Sequence, residues 1–172
     1  MKSSDFISVS DRFLLVKWFY LMTPPIRTPL IGALLRMPYE AVHLRIVAEA
    51  NAAGFDDLVP AHLAVLRYPG PDGRRPSELA EEAGMSRQAM NYLLGQLEAL
   101  DYIIREDDPD DLRSKRVHFT KRGEELRDTI RQSVGTIERN LRDELGPSAY
   151  TQLRQLLVEL NNTTVVQRPV SS

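Results

Sequence analysis

The sequence predicts a mainly α-helical chain that carries one two-stranded β-hairpin. Three observations predict it. Apolar residues recur at helical spacing over most of the chain, only the stretch from Tyr102 to Phe119 switches to strand-like runs, and Gly/Pro clusters fall between the periodic segments. At 172 residues and 42% hydrophobic content, one chain can bury a core without covalent staples. There is no cysteine, which removes disulfides, thiolate ligands and thiol redox switches and suits a reducing cytosol.

Residues 1 to about 29 hold Phe13, Trp18, Phe19 and Tyr20, which are costly to expose together and suit an arm packed on a partner chain. An over-extended start is the other reading of this stretch. Its apolar run, Phe13 to Leu35, is interrupted by Lys17, Pro24, Pro25, Arg27 and Pro29, a poor match to a membrane span. Asp5 and Asp11 likewise disfavour a signal peptide, so a cytoplasmic protein is expected.

The first helix is predicted to begin at Pro38 and to run through Tyr39, Val42, Ile46 and Ala50 until Gly54 ends it. A short helix from about Pro60 to Tyr68 follows, closed by the turn-rich Pro69-Gly70-Pro71-Asp72-Gly73. Pro76, Ser77 and Glu78 open the next, with Leu79, Ala80 and Ala83 facing inward and Gly84 stopping it. Ser86 then caps a helix to about Leu100, whose Met90, Leu93, Leu94, Leu97 and Leu100 form a continuous apolar stripe.

Tyr102 to Ile104 and Val117 to Phe119 read as the two strands, joined by an acidic turn from Asp107 to Asp111. Thr120 caps a long helix with Leu126, Ile130, Val134, Ile137, Leu141 and Leu145 on one seam, broken at Gly146 and Pro147. A last helix repeats Leu153, Leu156, Leu157 and Leu160 before a polar tail. One small domain cannot cover these seams, so a two-fold homodimer is expected. The predicted organisation is an N-terminal arm and first dimerisation helix over 1–57, a winged helix-turn-helix over 58–122, C-terminal dimerisation helices over 123–163 and a flexible tail over 164–172.

The function-bearing stretch is Leu79 to Ser86, two helices about a tight turn, with Gly84 supplying a left-handed residue and Ser86 starting the second helix. Off the apolar stripe of that second helix lie Arg87, Gln88, Asn91, Tyr92 and Gly95. Arg suits guanine, Gln and Asn suit adenine, and Gly95 lets the backbone approach a groove. Net charge is -2, from 22 Lys plus Arg against 24 Asp plus Glu, so any basic footprint must be local. The hairpin supplies one in Arg113, Lys115 and Arg116, with Lys121 and Arg122 just beyond, a set suited to phosphates or a narrow minor groove. The spacing of Asp111 and Arg113, two residues apart on one strand, would let the carboxylate orient that or a nearby arginine.

These residues resemble the multiple antibiotic resistance regulator (MarR) family of bacterial winged helix-turn-helix regulators. The resemblance rests on Leu63-x-Val65-Leu66, Arg75-Pro76-Ser77-Glu78-Leu79-Ala80, Met85-Ser86-Arg87-Gln88 and Leu93-Leu94-x-x-Leu97-Glu98. It is strongest in the wing, at Asp108-Pro109-x-Asp111-x-Arg113-Ser114 and Val117-x-Phe119-Thr120-x-x-Gly123. It implies a homodimer joined through the first, fifth and sixth helices, with paired recognition helices on a near-palindromic operator in double-stranded DNA, and most often repression of transcription. Ser86, Arg87, Gln88, Asn91, Tyr92, Arg113, Lys115, Arg116 and Lys121 would then be the DNA-binding set. Arg113 would be the minor-groove arginine and Asp111 the carboxylate supporting the wing. Tyr92 stands where the family often has arginine, which bears on operator identity.

Small-molecule release is typical of the relatives, and a small aromatic or phenolic effector is the candidate ligand here. Tyr39, His43, His62 and Tyr68 are candidates to line its pocket, and equally for ordinary packing. The three histidines are spread over three elements without a ligand-spaced partner, so neither metal nor cofactor is expected. No nucleophile-base pair or phosphate cradle is seen, and the acidic turn reads as a solvated loop, so an enzyme is not expected. The remaining alternative is a winged-helix protein that binds another protein and not DNA.

Overall fold

A computed structural model describes residues 29–67 and 70–166. The expected N-terminal arm, apart from Pro29, lies outside the described residues, as do Tyr68 and the end of the tail. The chain divides into two compact units, Met1–Tyr39 and Glu40–Ser172.

Helix α1 spans Ile31–Ala52, seven residues earlier than the expected start at Pro38. The Leu30 carbonyl already accepts from the N–H groups of Ala33 and Leu34, at 2.9 and 3.1 Å. Pro38 withholds only its own N–H from the ladder, so helical bonding continues on either side of it. In the second unit, α1 buries Ile46, Val47 and Ala50. A 3-10 turn, Pro60–His62, leads into α2, Leu63–Leu66, and this short piece places His62, Leu63, Val65 and Leu66 in the interior.

Helix α3 runs Pro76–Ala83 and α4 runs Arg87–Ala99. Each end follows from local chemistry. The Glu78 carboxylate accepts the Arg75 N–H at 3.0 Å, and the Ser86 Oγ accepts the Ala89 N–H at 3.1 Å; both satisfy donors that the first helical turn leaves unpaired. Between the helices, Gly84 adopts φ 64°, the left-handed conformation that glycine tolerates without a Cβ clash. Met90, Leu94 and Leu97 are fully buried, with Leu93 nearly so, which makes α4 a helix with one core face and one free face.

The hairpin pairs β1, Ile103–Asp108, with β2, Asp111–Phe119, in antiparallel register from Ile103 opposite Phe119 to Asp107 opposite Lys115. Both strands are longer than the sequence suggests, and only Pro109 and Asp110 remain as turn. The break before α3 also joins the sheet. The Gly73 N–H donates to Val117 O at 2.7 Å, and Val117 N–H to Arg74 O at 2.9 Å, so β2 is paired along both edges at Val117.

Helix α5, Lys121–Leu145, starts on Thr120, whose Oγ1 accepts the Gly123 N–H at 3.0 Å. Gly123 is where this helix meets the backbone of Tyr102, just before β1. A Cβ there would stand 1.9 Å from the Tyr102 carbonyl oxygen, so only glycine permits the approach. Tyr102 is itself buried and is held with Asp57 and Arg122 in one cluster: its hydroxyl donates to Asp57 Oδ1, and Arg122 Nη2 donates to Asp57 Oδ2 at 2.7 Å. This ties the start of α5 to the loop before α2. Helix α6, Pro147–Asn161, packs on α5 through Tyr150, 5% exposed. The predicted seam divides. Leu126 and Ile137 are buried in the chain, whereas Val134, Leu141, Leu145, Leu153, Leu156 and Leu157 remain exposed.

Candidate nucleic-acid interface

Helix α4 presents Arg87, Gln88, Asn91 and Tyr92 on the side away from its buried stripe, all exposed. Ser86 is exposed and is occupied as the helix cap. A groove of about 570 Å³ runs from this face to the hairpin and brings Arg87 and Asn91 together with Lys115 and Ser114 of β2, Arg105 of β1, and Arg75 and Ser77 at the start of α3. Arg105 bridges the two elements, its Nε 2.9 Å from Glu98 Oε2. Arg75 and Arg105, which no sequence motif marks as DNA contacts, are thus part of the same concave surface.

The wing cations differ in what holds them. The Arg116 guanidinium is turned inward: Nη1 donates to Gly73 O at 3.1 Å, Nη2 to Asp110 Oδ2 at 3.0 Å, and Nε lies 3.0 Å from Asp108 Oδ1. Lys115 pairs with Asp107 at 2.6 Å, with both side chains more than half exposed, an ion pair that solvent weakens. Arg113 is exposed and its guanidinium has no ion pair among the described residues. The same holds for Arg87 and for Lys121, at the first turn of α5. Among the described residues Arg87, Arg113 and Lys121 thus carry their charge without an ion pair, whereas Arg116 is held by Asp108, Asp110 and Gly73.

The carboxylate that organises this region is Asp108. Its side chain is fully buried. It takes the Arg75 Nε at 2.6 Å, the Asp110 N–H at 3.0 Å and the Ser114 hydroxyl at 3.3 Å, besides the ion pair with Arg116. Burial by itself would raise the pKa, but the Asp110 N–H and the Arg116 and Arg75 guanidinium groups outweigh it and hold the carboxyl well below the usual carboxylate range. Asp111, expected to orient Arg113 or a nearby arginine, accepts the backbone N–H of Arg113 at 3.1 Å, while its carbonyl accepts the Ser114 hydroxyl. The strand register shifts between Asp107 and Asp108. Such a bulge re-aims side chains, and Asp108 is buried although strict alternation from the buried Ile103 would turn it outward.

Of the expected effector residues, the described ones are Tyr39, His43 and His62. Tyr39 belongs to the first unit and is exposed, and Tyr68 lies outside the described residues. His43 is half-buried, its pKa lowered by burial and by Arg67. His62 is buried, and its Nδ1 accepts the Val59 N–H at 3.4 Å, a capping role in the 3-10 turn. Burial lowers its pKa against the opposing pull of Gln96 and Asp57. Among the described residues there is no cluster of three side chains suited to a metal ion, and no helix long and apolar enough to cross a membrane.

Two helices about a left-handed glycine, followed by a hairpin that continues the surface of the second helix, define a winged helix-turn-helix. Residues 57–114 match the model of the MarR family. The fold is similar to that of solved transcriptional regulators. Similarity to a crystal structure of MarR is 24% identity over 81% of this chain and all of that one (100%), at a TM-score of 0.66. For the apo form of MarR from E. coli the identity is 22%, over 78% of this chain and 98% of that one, at a TM-score of 0.60. For the transcriptional repressor CouR bound to a 23-mer DNA duplex it is 21%, over 79% and 100%, at a TM-score of 0.55. No curated protein matches the sequence.

Proposed function

We propose that the chain is a sequence-specific, DNA-binding transcription regulator that acts as a homodimer on a near-palindromic operator. The observation that carries this reading is the shared groove. Arg87 and Asn91 of α4, whose opposite face fills the core, line the same concave surface as Lys115 of the wing. A helix that commits one face to the core and offers Arg, Gln and Asn on the other can read base edges in a major groove. A hairpin with Arg113 at its exposed tip can hold the adjoining backbone or minor groove. Phosphate contacts fix position and base contacts supply sequence, and the two sets lie side by side here.

In this reading Ser86, Arg87, Gln88, Asn91, Tyr92, Arg113, Lys115 and Lys121 meet DNA, while Arg116 and Asp111 shape the wing. The homodimer is supported by the apolar side chains of α5 and α6 that the single chain leaves exposed. Repression with release by a small aromatic or phenolic effector is the regulatory form proposed, with cytoplasmic localisation. Winged domains of this fold are also solved on DNA, as with CouR.

Selection of duplexes from a randomised library, followed by mobility-shift titration of the enriched and scrambled sequences, tests the reading. An enriched, two-fold sequence bound well above the scrambled one is expected. Equal binding of both, or none, overturns it.

A further inference from the structure

The groove between α4 and the hairpin holds a carboxylate as well as cations. Glu98 lies about two turns beyond Asn91 on the same side of α4. It lines the groove with Arg87 and Asn91 from the helix and with Arg105, Ser114 and Lys115 from the hairpin. A negative charge on a surface that offers Arg87 to a phosphate backbone is unfavourable unless a cation neutralises it. Arg105 of β1 does so. Its Nε donates to Glu98 Oε2 at 2.9 Å, and its Nη2 donates to the same oxygen.

These two bonds decide what the guanidinium has left. Nε and one Nη2 hydrogen face Glu98, so the outer edge, made of Nη1 and the second Nη2 hydrogen, is unused. Nη1 has no hydrogen-bond partner among the described residues. Both side chains are partly buried, and a planar group pinned along one edge keeps the other edge in a fixed direction. Such an edge is a fork that matches two phosphate oxygens, with little rotamer freedom left to lose on binding.

Where a phosphate would meet it follows from the geometry of a duplex. With α4 in a major groove and the wing at the adjoining minor groove, the backbone that separates the two grooves has to pass between helix and hairpin. Arg105 lines the groove at that place, joined to α4 by Glu98 and carried by β1 of the hairpin. We infer that Arg105 contacts this dividing backbone and that Glu98 holds its guanidinium for it. The inference rests on the DNA-binding reading and extends it. Arg105 is the contact, and Glu98 is a positioning residue although its charge alone would repel DNA.

Ethylation interference on a duplex enriched by the wild-type protein reads single phosphates and tests this. Wild type should show, in each half-site, an interfering phosphate between the bases covered by α4 and those covered by the wing, and Arg105→Ala should lose that position. Affinity should fall roughly 10-fold, the worth of one charge-assisted hydrogen bond, alike on the enriched duplex and on a scrambled one of equal length. The slope of log affinity against log salt should shrink by roughly 0.9 for each phosphate released. Arg105→Gln keeps a donor for Glu98 without the charge and should give the same losses at the wild-type melting temperature. Glu98→Ala removes a repulsive charge and the brace together. In the Arg105→Ala background only the repulsion is left to relieve, so binding should tighten, whereas beside the native Arg105 it should tighten several-fold less or weaken. Equal tightening in both backgrounds overturns the positioning role. Wild-type affinity and salt slope in folded Arg105→Ala or Arg105→Gln, an unchanged interference pattern, or a loss confined to the enriched duplex overturns the phosphate contact. Failure to enrich any duplex would instead bring down the DNA-binding reading and this inference with it.

Discussion

The Arg75 Nε lies 2.6 Å from Asp108 Oδ2, and through this contact the residue that precedes α3 is joined to the tip of the wing. Arg75 caps the first helix of the helix-turn-helix, while Asp108 also holds Arg116 and the Asp110 N–H. One buried carboxylate therefore ties the start of α3 to the hairpin. Asp108→Asn should loosen the wing, visible as faster amide exchange over 108–116, and should weaken operator binding although Asp108 is too deep to touch DNA. Unchanged exchange in a folded variant would count against that role.

The same residue predicts an acid dependence. The folded pKa of Asp108 is held below its ordinary value, so its contribution to stability is complete above the unfolded aspartate pKa of about 4 and is lost as pH falls from there through the lower folded value. Wild type should be more stable than Asp108→Asn at neutral pH. The gap should close on acidification below about pH 4. Melting temperatures followed across the range from neutral to strongly acidic buffer check this, and a constant gap contradicts it.

Arg113 and Arg116 are three residues apart in a basic run and should behave differently. Arg116 is tied to Asp108, Asp110 and Gly73, whereas Arg113 has no ion pair among the described residues. Arg113→Ala should leave the melting temperature almost unchanged and reduce the slope of log affinity against log salt by roughly 0.9 for each phosphate that the arginine neutralises. Arg116→Ala should lower the melting temperature. If the two substitutions gave the same pattern, the division between a contact and a brace would be wrong.

The helix-turn-helix is legible in the sequence because its signals are local and agree with one another. Pro76, Glu78, Gly84 and Ser86 mark ends, and the Met90 to Leu97 stripe marks the inner face. What the sequence hides is set at longer range. The start of α1 is masked by Pro38, since a proline reads as a first helical residue unless its upstream neighbours are known to bond. Asp108 is hidden among four aspartates, because a register shift and not alternation turns it inward. Val117 gains a second partner from Gly73 and Arg74, a pairing that a glycine-rich break does not announce. Tyr150, which joins α6 to α5, stands outside the leucine repeat that defines the helix.

The exposed apolar side chains of α6 lead to a test of assembly. Leu153 and Leu157 are 41% and 40% exposed in the single chain, one turn apart on one face. Replacing both with glutamate places charge where the proposed partner would pack, at a cost that a monomer does not incur. Light scattering should show dimers for wild type and monomers for the variant at micromolar concentration, with the winged domain still folded. A variant that stays dimeric would place the interface elsewhere.

Two glycines on neighbouring helices give opposite predictions for the same substitution. At Gly123 an added Cβ would stand 1.9 Å from the Tyr102 carbonyl oxygen and 2.8 Å from the Phe119 ring. Neither can yield readily, because that carbonyl also accepts the Thr120 N–H at 3.1 Å. Gly123→Ala should therefore destabilise the protein by about 3 kcal/mol, the upper end for overpacking. At Gly95, in the middle of α4, nothing lies within 4 Å of the same added atom. Glycine there has no packing reason within the described residues and weakens the helix, so Gly95→Ala should stabilise by about 0.5–1 kcal/mol. A bound DNA duplex would supply a reason for glycine at that position. Gly95 shares a side of α4 with Asn91 and Tyr92, where a DNA backbone or base edge would approach, and a methyl group would hold the helix off the groove. Gly95→Ala should thus melt higher and bind its operator more weakly. Equal or tighter binding by the more stable variant would show that α4 does not enter the groove on that side.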